Sequence, residues 1–260
     1  MWTNLRGKFP IKDLKQLVFS AARAPYIAQL NHWLAEIEKQ NVGAREWLRK
    51  RPTGEWSKTF FKTDVKSDIL LNNLSECFNK YILEVRQKPI LTMFEMIRTQ
   101  LMKRINIKQE VSQKWKGLLC PKIKNKLEQI KEKSFDYTAT FSGSPLVQVN
   151  GPEGQFTVDL ERKTCACRRW DLTGIPCMHA VACIFEENED SVTYVNDLYK
   201  VDTYKRVYSL IINPTNGPSL WEAHDNPGII LPPSPVKKKR GRIPTARRKE
   251  AEEKEKEKEL

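Results

Sequence analysis

No apolar stretch in this 260-residue chain approaches the ~18 residues that a membrane-spanning helix requires, so neither a transmembrane segment nor a membrane partner is expected. Histidine is scarce, with three residues, and cysteine is little commoner, with six. No secretory signal is recognisable, and cysteine thins out beyond one short window, so a disulfide framework is not expected either. Acidic residues are in deficit: 32 Asp and Glu face 45 Lys and Arg, a formal net charge of +13. A balance so basic points to an anionic partner, of which nucleic acid is the commonest. The deficit is uneven. Residues 237–249 hold eight Lys or Arg (Lys237, Lys238, Lys239, Arg240, Arg242, Arg247, Arg248 and Lys249) and no acid, whereas 250–260 reverse to six Glu against three Lys. Residues 102–133 carry ten Lys or Arg against three Glu, an excess that a solvated helix face explains as well as a nucleic-acid groove does.

The scarce residues are concentrated. Half of the cysteines and one of the three histidines fall within residues 165–179, as Cys165, Cys167, Cys177 and His179. Three thiolates and an imidazole make up the ligand set of a tetrahedral Zn²⁺ site, with Zn–S near ~2.3 Å and Zn–N near ~2.0–2.1 Å. In an extended segment positions i and i+2 share a face, so Cys165 and Cys167 can meet one ion while Ala166 points away. Cys177 and His179 cannot converge inside a regular helix, but they can at its N-terminus, with Cys177 just outside the first turn. Pro176 before it and the apolar Ala180, Val181, Ile184 and Phe185 after it favour that placement. Four protein ligands leave no open position for a catalytic water, so the expected zinc is structural. Cys183 belongs to the apolar face of this helix, and Cys77 and Cys120 read as ordinary buried thiols.

Four sections separate along the chain. Residues 1–133 read as helical, with Ile27, Leu30, Leu34 and Ile37 at helical spacing and Trp33, Trp47 and Trp56 as core aromatics. His32 reads as structural or exposed. Ile69, Leu70, Leu71, Leu74, Phe78, Tyr81, Ile82 and Val85 predict a broad apolar helix face, and Pro89 suits the first turn of the next helix. Residues 134–194 change period. Phe135, Tyr137, Ala139 and Phe141 alternate, as do Val147 and Val149, then Phe156, Val158 and Leu160, around a turn at 150–154, which predicts a β-hairpin feeding a ββα zinc module. Residues 195–226 are aromatic: Tyr199, Tyr204, Tyr208 and Trp221 either pack against the finger or offer stacking surfaces for bases. Residues 227–260 have the Pro-rich, charged composition of a disordered tail. Within it Arg240-Gly-Arg-Ile-Pro244 is close to an AT-hook core interrupted by Ile243, and reads as a nuclear-import or phosphate-binding patch. The fold class expected is mainly α with a small ββα zinc module.

The spacing C-x-C-x9-C-x-H, with Trp170-Asp-Leu-Thr-Gly-Ile-Pro-Cys177-Met-His179-Ala, resembles the SWIM zinc finger of plant Mutator-like transposases. Asp68-Ile-Leu-Leu-Asn-Asn-Leu-Ser-Glu76-Cys-Phe-Asn79 and Pro89-Ile-Leu-Thr-Met-Phe-Glu-Met-Ile-Arg98 are similar to the end of that family's catalytic domain, and Tyr194-Val-Asn-Asp-Leu-Tyr-Lys-Val-Asp-Thr-Tyr204 to the stretch after its finger. The resemblance implies that 1–133 is a remnant of a ribonuclease-H-like catalytic domain. It places Glu76 where the family has the last carboxylate of an Asp-Asp-Glu triad. An ordinary helix-surface glutamate is the plainer reading. The two aspartates lie upstream of the point where the resemblance begins, and one carboxylate cannot hold two metals. No catalysis and no small-molecule substrate are therefore expected. What is expected is a zinc-binding nuclear protein that recognises DNA or, through the finger, a protein partner. Arg168 and Arg169 beside the second ligand, with the basic tail, are the candidate nucleic-acid contacts. A working transposase subunit and a domesticated transcription regulator of the same family remain the alternatives.

Overall fold

The helical spacing of the N-terminal apolar residues becomes a small core of its own. The computed structural model describes residues 2–11, 13–70 and 73–220. Helix α1 (Trp2–Lys8) contributes Leu5, and α2 (Leu14–Arg23) contributes Leu14, Val18, Ala21 and Ala22, one face at i, i+4, i+7 and i+8. The helix stops at Ala24, whose ψ of 121° is the extended setting that Pro25 imposes on the residue before it. Helix α3 (Ile27–Gln40) buries Leu30, Leu34 and Ile37, and α4 (Val42–Arg49) buries Ala44, Trp47 and Leu48. Asn41 separates them in extended conformation, and its side chain accepts the N–H of Ala44 at 2.8 Å, a helix N-cap that satisfies one orphan donor. Trp56 completes this core, with Trp33 partly buried against it, and His32 is exposed.

Helix α5 (Asn73–Tyr81) and the long α6 (Ile90–Gln113) follow; Met93, Ile97 and Leu101 of α6 are half-buried, but other apolar residues here do not find cover. Val85 between them is buried, whereas Ile69, Phe78, Leu83, Ile90, Leu91 and Phe94 are exposed among the described residues. The expected broad face is thus only partly helical and partly covered: Ile69 and Leu70 precede α5, Leu70 packs against the N-terminal core, and Tyr81 and Ile82 are half-buried. Leu71 lies outside the described residues, as do the side chains of Leu74 and Glu76 on α5. Pro89 is the N-cap of α6, one position earlier than its expected place in the first turn.

Helix α7 (Pro121–Ser134) leads into an antiparallel meander in the order β1-β2-β3-β4. Its strands are β1 (Thr138–Phe141), β2 (Leu146–Gly151), β3 (Gly154–Asp159) and β4 (Thr164–Cys165). Alternation holds in β2 and β3, where Val147, Val149, Phe156 and Val158 are buried while their neighbours Gln148 and Thr157 are exposed. It fails before them: Phe141 on the edge strand β1 is exposed, and Phe135 is the exposed C-cap of α7. A four-stranded meander therefore stands where two strands were expected. After it come the short α8 (Arg169–Thr173), α9 (Met178–Glu186) and α10 (Val201–Val207). The sheet's buried face joins Ala180 and Cys183 of α9, and Val181 on another side of that helix packs with Leu127 of α7. Tyr204 packs on Trp115, with ring centroids 4.7 Å apart. No helix among the described residues is long and apolar enough to cross a membrane. Residues 1–214 form one compact unit. Beyond it residues 215–220 are described, with a turn of 3-10 helix at Pro218–Leu220.

Candidate metal centre

Strand β4 carries Cys165, but Cys167 does not lie on that strand. The N–H of Arg168 donates to the carbonyl of Cys165 at 2.7 Å, closing a tight turn, and Arg168 adopts the left-handed conformation with φ 56°. The two thiols thus converge by chain reversal, which corrects the expectation of an extended i, i+2 pair. Ala166 keeps its N–H on the carbonyl of Thr157 at 2.9 Å, so the turn hangs from β3. Helix α8 then spans the gap between ligand pairs and ends at Gly174, with φ +70°. A Cβ there would lie 2.8 Å from that of Asn196, so conformation and space both demand glycine. Cys177 is the extended N-cap of α9, and His179 lies in its first turn, as the sequence anticipates.

These turns bring Cys165, Cys167, Cys177 and His179 together, all buried, with their ligand atoms within 4.8 Å of one another. Nδ1 of His179 is 3.5 Å from Sγ of Cys165 and 3.8 Å from Sγ of Cys177. A tetrahedral zinc with ordinary bond lengths sets neighbouring S and N ligands ~3.5 Å apart. The donor set and its spacing fit zinc. The thiols divide their charge unequally. Hydrogen bonds from Cys165 and Cys177 push Cys167 far down toward thiolate; Cys165, the donor in the first of these, is raised, and burial raises Cys177. A divalent cation would let all three ionise. Cys183, fully buried, stands outside the cluster, and burial pushes its thiol up to about 12. Cys120 is half-buried, but Cys77 is exposed on α5, contrary to its reading as a buried thiol.

The surroundings orient the ligands. The ring of Phe156 stacks on His179 at 4.1 Å and 16°, and Tyr137 meets it edge-on at 4.7 Å. Nε2 of His179 is buried with no hydrogen-bond partner among the described residues, so these aromatics hold the ring where a carbonyl or carboxylate often does. Asp171 accepts the N–H of Cys165 through Oδ2 at 3.1 Å. These three supporting residues escape a search for ligand spacing, although the alternation of Tyr137 and Phe156 already marks their strands.

The expected nucleic-acid residues are placed differently. Arg168 points inward: its guanidinium donates to the carbonyls of Phe61 at 3.0 Å and Pro25 at 3.4 Å, tying the turn to the helical region. Those bonds make it a structural strut, a correction to its reading as a phosphate or guanine contact. Arg169 pairs with Glu153 at 3.3 Å and remains about one-third exposed. Lys66 extends the tie, donating to the carbonyl of Asp171 at 3.2 Å while its own carbonyl accepts the hydroxyl of Tyr199 at 2.9 Å. Lys237, Lys238, Lys239, Arg240, Arg242, Arg247, Arg248 and Lys249 lie outside the described residues.

Residues 146–185 match the SWIM zinc finger family. The match begins at β2 and takes in all four clustered residues. No curated protein and no solved structure matches the chain. The SWIM finger and the Cys₃His cluster together point to zinc as the cofactor.

Proposed function

We propose that this chain is a zinc-organised, nucleic-acid-binding protein of the nucleus, derived from a Mutator-like transposase and without catalysis of its own. The observation that carries the reading is the closed cluster beside a basic, largely unpaired surface. Four buried protein donors leave no place for a reacting water, so the metal holds the fold. On α6, α7 and the segment between them, Lys103, Lys114, Lys116, Lys122 and Lys124 are exposed, and their side chains make no ion pair or hydrogen bond among the described residues. Lysines in that state are available to phosphates. The tail adds eight cations within residues 237–249. The transposase origin rests on the motif around Trp170 and on the segments around Glu76 and Pro89.

Phosphate contacts make affinity fall with log salt at a slope of about −0.9 per phosphate neutralised on duplex DNA. Titrating the full chain into random-sequence and terminal-repeat duplexes at two salt concentrations tests the proposal. Deleting 237–260 is expected to weaken binding to every sequence alike and to flatten the salt slope. If neither the full chain nor the deleted one binds DNA while the deletion abolishes nuclear accumulation, the tail is only an import signal. The finger then belongs to a protein partner.

A further inference from the structure

Helices α2 and α3 do not close fully against α8. A cleft of about 310 Å³ remains between the helical region and the zinc module, at the small end of the ~300–1,000 Å³ range of ligand sites. Pro25 and the buried Leu172 give it an apolar floor, and the half-buried Trp33 an aromatic wall. Arg23 and Arg169 line it with two guanidinium groups, of which Arg169 is already engaged by Glu153 at 3.3 Å and by Sδ of Met178 at 3.3 Å. Arg23 is exposed, lies over the ring of Phe19, and has no hydrogen-bond or ionic partner among the described residues. The amide of Gln29 is likewise without a partner there. The cleft's one carboxylate, Asp68, is engaged by Lys58 at 2.7 Å.

This combination selects a ligand class. With Lys58 held by Asp68 and Arg169 by Glu153, the guanidinium of Arg23 is left to take an anionic group. An indole wall and an apolar floor require a flat ring beside it, and a primary amide offers a donor and an acceptor to that ring's edge. A bare phosphate uses only the first feature, and a lipid chain needs a longer groove. We infer that the cleft binds one nucleotide, with its phosphate on Arg23 and its base against Trp33. The nucleotide is either free or part of an unpaired strand; the second source rests on the nucleic-acid reading above, the first does not. Since Arg169 and Leu172 lie on α8, between Cys167 and Cys177, this wall depends on the zinc cluster.

The test uses the zinc-loaded full chain, a labelled single-stranded oligonucleotide, its blunt duplex and AMP. Arg23→Gln and Trp33→Ala are each expected to weaken single-strand binding about tenfold while changing duplex binding less than about twofold, the size of one lost stacking or charge-assisted contact. Chelation should abolish the single-strand component. Competition by AMP assigns the cleft to free nucleotides, and variant-sensitive binding without such competition assigns it to a nucleotide held in a strand. If Trp33→Ala fails to fold, Arg23→Gln, at an exposed position, decides the matter. Unchanged single-strand and AMP binding in Arg23→Gln overturns the cleft assignment and leaves the duplex reading standing. Loss of duplex binding in the wild type, with AMP still bound through Arg23, does the reverse.

Discussion

Arg168 shows how one residue joins two parts of the chain. Its left-handed backbone closes the turn between the first two cysteines, and its guanidinium reaches carbonyls at Pro25 and Phe61. Bonds from a charged donor contribute ~1.5–3 kcal/mol each when well made, and the 3.4 Å contact less. Arg168→Ala is therefore expected to cost about 2 kcal/mol in chemical denaturation while zinc content stays unchanged. Lysine should not restore the loss, because a single ammonium lacks the fork that reaches two acceptors. An unchanged denaturation midpoint would mean that the strut contributes nothing. The four clustered side chains were legible from spacing, because cysteines and histidine at short intervals limit the chemistry to little besides a metal. The inward role of Arg168 was not legible, because its acceptors lie 107 and 143 residues away in sequence.

Among the elements, the end of the β2–β3 hairpin governs the ligand beneath it. Gly151 pairs with Gly154 across the turn, and Tyr137 covers Gly151 so closely that an added Cβ would fall 2.2 Å from the ring. The same ring meets His179 edge-on. Gly151→Ala should thus displace Tyr137 and destabilise the module by ~1–3 kcal/mol, the usual cost of overpacking. Thermal melts of Gly151→Ala, Tyr137→Ala and the double variant should show a clear coupling between the two sites. Strictly additive effects would contradict the contact. Alternation was enough to read these strands, since a period of two fixes which side chains share a face. It gave no notice of α8, whose five residues are too short to show a helical period. On α5 and α6 the period revealed a face but not its partner, and the structure leaves Phe78, Ile90, Leu91 and Phe94 exposed.

At the scale of the molecule, the finger is built into the larger unit. The loop carrying Phe61 and Lys66 lies along α8, held by Arg168, by the bond from Lys66 to Asp171 and by the hydroxyl of Tyr199. Helices α2–α4 have their own apolar core, so they should outlast the metal. Structural zinc contributes on the order of 10 kcal/mol to small modules, more than this sheet and its short helices can replace. Chelation is expected to unfold about residues 138–199, release the loop and spare α2–α4, a pattern that hydrogen exchange resolves segment by segment. Uniform protection after chelation would contradict it. The most direct test of the central claim is the metal content of the purified, fully reduced chain beside that of Cys167→Ser. The account predicts close to one equivalent of zinc per chain in the wild type and its loss in the variant. A wild-type value near zero, or full retention of zinc by Cys167→Ser, would contradict it.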